Sequence, residues 1–205
     1  MQKELIYMTK QIDFYFDFIS PYTYLAYKKI QYLPNDIKIN YKPIFLGGLH
    51  NLEGIIAPAF SKSKLKHMIN DCLLIAKKNN FDFKWNSKFP INSLNVMRGY
   101  FSINSSNRDQ YIKIMFDAYW KDDLDISKEE ILTQLLDQCK INKNIFFKTI
   151  EDPTIKEKLK DATKNAHEKE IFGAPTFIVN NKIFWGQDRL IYAIDEYKKI
   201  NHYAS

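Results

Sequence analysis

From Ile12 to Ile19 the chain alternates: Ile12, Phe14, Phe16 and Phe18 interleave with Asp13, Tyr15, Asp17 and Ile19. A period of two that is rich in aromatics predicts a well-buried strand. The pattern stops at Ser20-Pro21. Serine is a favoured N-cap and proline a favoured first helical residue, so a helix is predicted over 21–33, carrying Tyr24, Leu25, Ala26 and Lys28. Pro34-Asn35-Asp36 has turn chemistry, and the alternation returns over Ile37–Tyr41 as a second strand. Strand, helix and strand make a βαβ unit, whose right-handed crossover sets the two strands side by side and parallel.

Between Gly47-Gly48 and Ile171 the period changes to that of a helix. Leu65, Met68, Ile69, Cys72 and Ala76 share one face, as do Ile112, Met115, Phe116 and Tyr119, and then Ile131, Leu135 and Gln138. Asn92, Ser127 with Glu130 as a capping box, and Pro153 mark helix starts. Sheet signal resumes with Thr176–Val179, the turn Asn180-Asn181, and Lys182–Trp185, a hairpin whose turn tolerates positive φ; a last helix is expected from Asp188 to Ile200. The order is therefore βαβ, a helical block, then ββα. The expected organisation is one domain from 1–46 and 172–205, with 47–171 a helical insertion packed on it.

At 205 residues, 45% hydrophobic and 26% charged, the chain is of globular composition. No apolar run approaches the roughly 20 residues of a membrane-spanning helix. Lys3, Glu4 and Lys10 break up the apolar residues of Met1–Lys10, so no secretory segment is expected there and a cytoplasmic location is. Cys72 and Cys139 lie far apart and outside any CxxC spacing, which reads as two buried thiols and not as a disulfide, a zinc ribbon or a redox pair. His50, His67, His167 and His202 have no metal-ligand spacing with them, so no metal is expected. The formal charge is +6. The lysines nevertheless alternate with acids, as where Lys156, Lys158 and Lys160 flank Glu157 and Asp161, and this reads as a solvated helix face, not a nucleic-acid stripe.

Three places carry candidate chemistry. Read alone, Ser20-Pro21 is a helix cap; read functionally, the same turn offers free N–H groups, a positive dipole end and a hydroxyl donor to an anion. Pro175, in Phe172-Gly173-Ala174-Pro175-Thr176, is read alone as a trans residue opening an edge strand. Asp188, in Trp185-Gly186-Gln187-Asp188-Arg189, is read alone as an N-cap.

Together the segments DFYFDFISPYTYLAY, YKPIFLGGL, KFPINSLNVMRGYF, MFDAYWKDDLDIS and FGAPTFIVNNKIFWGQDRL resemble the kappa-class glutathione transferases and the 2-hydroxychromene-2-carboxylate isomerases. The resemblance runs from Asp13 to Tyr197 and leans to the isomerase branch. It implies an α/β, thioredoxin-like fold of DsbA type with a helical insertion, and glutathione as cofactor. It places Ser20 at the glutathione sulfur, Ala174 and a cis Pro175 against the cysteinyl backbone, Gln187 and Asp188 at the γ-glutamyl end, and Lys64 at the glycine carboxylate. It also implies a small hydrophobic or aromatic electrophile as substrate, and a homodimer. Arg98 is a candidate partner for a substrate carboxylate, weighed against a structural ion pair. One departure stands out: the family's asparagine after glycine is Ile55, and its tyrosine before methionine is His67.

The expected chemistry is activation of glutathione sulfur. A free thiol titrates near 8.5. A helix terminus contributes about 0.3–1 kcal/mol, and up to roughly 2 when partly buried, while a hydrogen bond to a charged acceptor adds about 1.5–3 kcal/mol. At 1.36 kcal/mol per pKa unit the two suffice to favour thiolate at neutral pH. The rival readings are a kappa-like transferase, a non-catalytic glutathione-binding protein, and a thiol-disulfide oxidoreductase. The last is disfavoured because Ser20 and Thr23 stand where it needs cysteines.

Overall fold

The computed structural model describes residues 11–202. Met1–Lys10, read above for a secretory segment, lie outside the described residues, as does the side chain of His202. The opening unit is β1 (Ile12–Phe16), α1 (Pro21–Ile30) and β2 (Ile39–Pro43). The helical block runs through α2 (Leu46–Glu53), α3 (Lys62–Lys78), α4 (Leu94–Ser102), α5 (Arg108–Trp120), α6 (Glu129–Gln138), α7 (Lys143–Ile150) and α8 (Pro153–Glu168). The chain then returns to the sheet as β3 (Thr176–Val179), β4 (Lys182–Trp185) and α9 (Leu190–His202). The sheet order is β2-β1-β3-β4, with β1 parallel to β2 and antiparallel to β3, and β4 antiparallel to β3. This is the thioredoxin-like α/β fold that the resemblance implied.

β1 is internal to the sheet and covered on both faces. Phe14 and Phe16 join the larger apolar cluster, where Phe14 stacks on Phe177 of β3 at 5.1 Å. Tyr15 points the other way, into a smaller cluster with Ile44, Leu49, Ala166 and Ile171. The period-two alternation is thus the division between the two layers. Helix α5 supplies much of the larger cluster, with Phe116 edge-on to Phe18 at 4.8 Å. Its last residue, Trp120, is fully buried and donates from Nε1 to the Phe18 carbonyl at 2.8 Å. The helical block therefore buttresses the short segment between β1 and Ser20.

Several element boundaries differ from expectation, each for a local reason. β1 ends at Phe16, because the Asp17 carboxylate accepts the Ile19 N–H at 3.1 Å and turns the chain. α1 ends at Ile30, three residues early, and Ile37 is held in a turn by its N–H on the Pro34 carbonyl, so β2 starts at Ile39. The Ser127–Glu130 capping box does not form: Lys128 is the cap residue of α6, and Ser127 is bound through both N and Oγ to Asp125 Oδ1. The buried face of α6 is Leu132, Leu135 and Leu136, while Ile131 is half-buried and Gln138 exposed. Asp188 does not cap α9, which begins at Leu190. The hairpin turn is as expected, with φ of 50° at Asn180 and 59° at Asn181.

Candidate active site

Ser20 is the N-cap of α1, with extended φ of −83° and ψ of 117°, and Pro21 follows as the first helical residue. Its Oγ accepts the Thr23 N–H at 3.2 Å and donates to the carbonyl oxygen of Ala174 at 2.8 Å. The hydroxyl is thereby pinned between the mouth of a helix and the Ala174-Pro175 peptide, which is cis. Accepting one hydrogen bond while donating another polarises the O–H, which makes it a better donor.

A cavity of about 950 Å³ opens on this pair. Ser20, Tyr22, Lys64, Gly173 and Ala174 line it, and its walls are mostly apolar, with Phe45, Phe60, Met68, Phe89, Ile91 and Trp185 among them. A second cis peptide, Phe89-Pro90, borders the same space. The void lies at the upper end of small-molecule sites, which run from about 300 to 1,000 Å³. Gly173 is required by close approach: a Cβ there would stand 2.7 Å from Trp185 Nε1. His50 and His67 line the cavity, and burial lowers the pKa of His50, which favours its neutral form.

Beneath the site lies Asp17, a fully buried carboxylate. Oδ1 accepts from Ile19 N at 3.1 Å, and Oδ2 accepts from Leu46 N at 2.8 Å and Ser93 Oγ at 3.0 Å. Ile19, Leu46 and Ser93 all line the cavity, so one side chain ties three of its walls together. The Ser20 N–H also reaches the Asp17 carbonyl at 3.2 Å. Burial raises the Asp17 pKa to about 6, and the hydrogen bonds from Leu46, Ile19 and Ser93 oppose that rise.

The DSBA-like thioredoxin domain family model matches residues 11–197. The chain belongs to this family. Among DSBA-like relatives, the 2-hydroxychromene-2-carboxylate isomerase of Sphingobium xenophagum is 27% identical over 187 residues, covering 89% of this chain and 95% of the relative. A glutathione S-transferase kappa 1 of Caenorhabditis elegans is 40% identical over 70 residues, 33% of this chain and 31% of the relative. A solved 2-hydroxychromene-2-carboxylate isomerase superposes with a TM-score of 0.84 at 24% identity, over 95% of this chain and 98% of that one, which shows a common fold.

Not all of the expected residues meet at this DSBA-like site. Ser20, Lys64 and Ala174 border the same cavity, as do the departures Ile55 and His67. Gln187 and Asp188 are not among its lining residues. The Lys29 ammonium binds both the backbone carbonyl and the side-chain Oε1 of Gln187, and Lys29 lies nine residues after Ser20, roughly 13 Å along α1. The Gly186 N–H nevertheless bonds the Pro175 carbonyl at 2.9 Å, so this loop starts beside the cis peptide and runs away from Ser20. Asp188 pairs with Arg189 at 3.2 Å. Arg98, the candidate partner for a substrate carboxylate, does not line the Ser20 cavity. It lines a different cavity and faces Glu151 at 3.8 Å and Asn95 at 3.4 Å, because its place on α4 directs it towards α7 and α8.

Asp17 escaped the sequence reading because it counted there as the polar half of a strand alternation. Its signal was position: an acid three residues before a helix-capping serine, in an otherwise apolar run. Cys72 and Cys139 are free and buried, and burial raises both thiols, Cys139 to about 11. Among the described residues no helix is long and apolar enough to cross a membrane.

Proposed function

We propose that this chain is a glutathione-dependent isomerase of the 2-hydroxychromene-2-carboxylate isomerase type, in which Ser20 holds the glutathione sulfur as thiolate. The observation that carries this reading is the Ser20 hydroxyl at the mouth of α1, on a cavity wall and against the backbone preceding a cis proline. Three curated relatives of that name, aligned over most of both chains, support it.

When bound, glutathione supplies a sulfur nucleophile that adds reversibly to an unsaturated substrate carbon. Ser20 turns its O–H from the neutral Ala174 carbonyl to the charged sulfur, a stronger acceptor, while the Thr23 N–H continues to support its oxygen. That turn frees the Ala174 carbonyl to pair with a peptide backbone. Lys64 neutralises the glycine carboxylate from within the cavity. Gln187 and Asp188, expected at the γ-glutamyl end, lie off this cavity, with the Gln187 carboxamide oxygen held by Lys29 and Asp188 paired with Arg189. The apolar walls exclude water and receive an aromatic body, and Ile55 makes them more apolar than the family pattern implies.

A kappa-like transferase shares the same sulfur chemistry, and the 70-residue match to the kappa enzyme supports it as the second reading. Incubation with glutathione and 2-hydroxychromene-2-carboxylate separates them. Glutathione-dependent isomerisation with no net loss of thiol is expected. Stoichiometric thiol consumption with an electrophile identifies a transferase, and glutathione affinity without turnover identifies a binding protein.

A further inference from the structure

A second cavity, of about 390 Å³, meets the first only at Phe45, which lines both. Its apolar lining is Phe45, Leu52, Leu94 and Leu159. Its rim is cationic. Lys156, Lys160 and Lys164 recur every four residues along one face of α8, and Arg98 reaches in from α4; Glu157 is the one carboxylate among its lining residues. We propose that this cavity binds a small organic anion with an apolar body, an arene or alkyl carboxylate, whose head group is taken by Arg98 and Lys160.

The decisive observation is the state of the Arg98 guanidinium. Its side chain is only 17% exposed, its Nε is buried without a hydrogen-bond partner, and its Nη1 contacts are long, 3.4 Å to Asn95 and 3.8 Å to Glu151. A buried N–H donor left unpaired is destabilising, and a guanidinium carries five donors in a fork that fits a carboxylate. The lysines are engaged only by surface acids: Lys156 with Glu151, Lys160 with Glu157 and Lys164 with Glu168, each acid more than half exposed. Such solvated pairs contribute little to stability and yield readily to a better-placed anion. Thr163 is not a ligand, because its hydroxyl already donates to the Leu159 carbonyl and accepts the Phe45 N–H. The apolar lining selects against a bare inorganic anion, and the volume fits a small molecule.

The test is a titration of the full-length, nitrogen-15-labelled chain with naphthalene-2-carboxylate, with naphthalene-2-methanol as the neutral counterpart and inorganic phosphate as the bare anion. The carboxylate is expected to shift the amides of Gly48, Leu52, Leu94 and Thr163 saturably, with the alcohol and phosphate each about tenfold weaker or worse. Arg98→Met and Lys160→Gln are each expected to weaken the carboxylate several-fold. Lys160 is 72% exposed, so its variant folds and decides the matter even if Arg98→Met does not. Shifts confined to Gly173 and Trp185, equal affinity for the alcohol, phosphate as strong as the carboxylate, or no loss in Lys160→Gln would each overturn the proposal.

Discussion

The hydroxyl of Ser20 donates a 2.8 Å hydrogen bond to the carbonyl oxygen of Ala174, 154 residues further along the chain. That one bond joins the helix mouth of the opening βαβ unit to the cis peptide that leads into β3. It holds Ser20 and Ala174 together on the wall of the larger cavity.

If that geometry exists to hold sulfur, Ser20→Cys converts the site to thiol-disulfide chemistry. The new thiol sits at a helix N-terminus, where thiolate is favoured. Exposed to oxidised glutathione, the variant is expected to form a mixed disulfide at residue 20, seen as a glutathione adduct by intact mass. Cys72 and Cys139, buried with raised pKa values, should remain unmodified.

The buried Asp17 gives stability a defined pH dependence. Its folded pKa, about 6, lies above the ordinary 3.8, so between these values the unfolded chain releases a proton that the folded chain retains. Its contribution to stability is therefore greatest below pH 4 and falls as pH rises towards 6, by an amount on the order of 3 kcal/mol. Asp17→Asn cannot titrate and is expected to flatten this part of the profile in urea unfolding at pH 4 to 7. The same variant loses an acceptor shared by Leu46 and Ser93, and with it turnover, as the cavity walls loosen.

Gly173 is set by the indole of Trp185, which leaves no room for a methyl group. Gly173→Ala is expected to displace Trp185 and shift its fluorescence, and to weaken glutathione binding through the neighbouring Ala174. A higher KM for glutathione is therefore expected, with the fold retained by circular dichroism.

Much of the fold could be read from the chain because local and long-range preferences agree there. The alternation of Phe14, Tyr15 and Phe16 is the two-faced burial of β1, and Asn180-Asn181 adopts the positive φ values its hairpin needs. Ser20 was legible as a helix cap for the same reason, since Ser-Pro fits the first turn locally. Legibility failed where a side chain outcompeted the pattern. Asp17 ends the strand by binding Ile19, and Asp125 takes Ser127 from its capping box. It failed again where function depends on packing angles. Nothing in sequence spacing says that Arg98 turns away from the Ser20 cavity, or that Lys29 holds the Gln187 carboxamide.

The most direct measurement is the titration of glutathione bound to the wild-type chain and to Ser20→Ala, followed by thiolate absorbance in the ultraviolet. The account predicts a wild-type pKa at least about one unit below that of free thiol, and a return of about one to two units in the alanine variant. Turnover should fall about 10- to 100-fold with it, while loss of the cap costs only about 0.5–2 kcal/mol of stability. An alanine variant that binds glutathione with the same depressed pKa and turns over at the wild-type rate would contradict it.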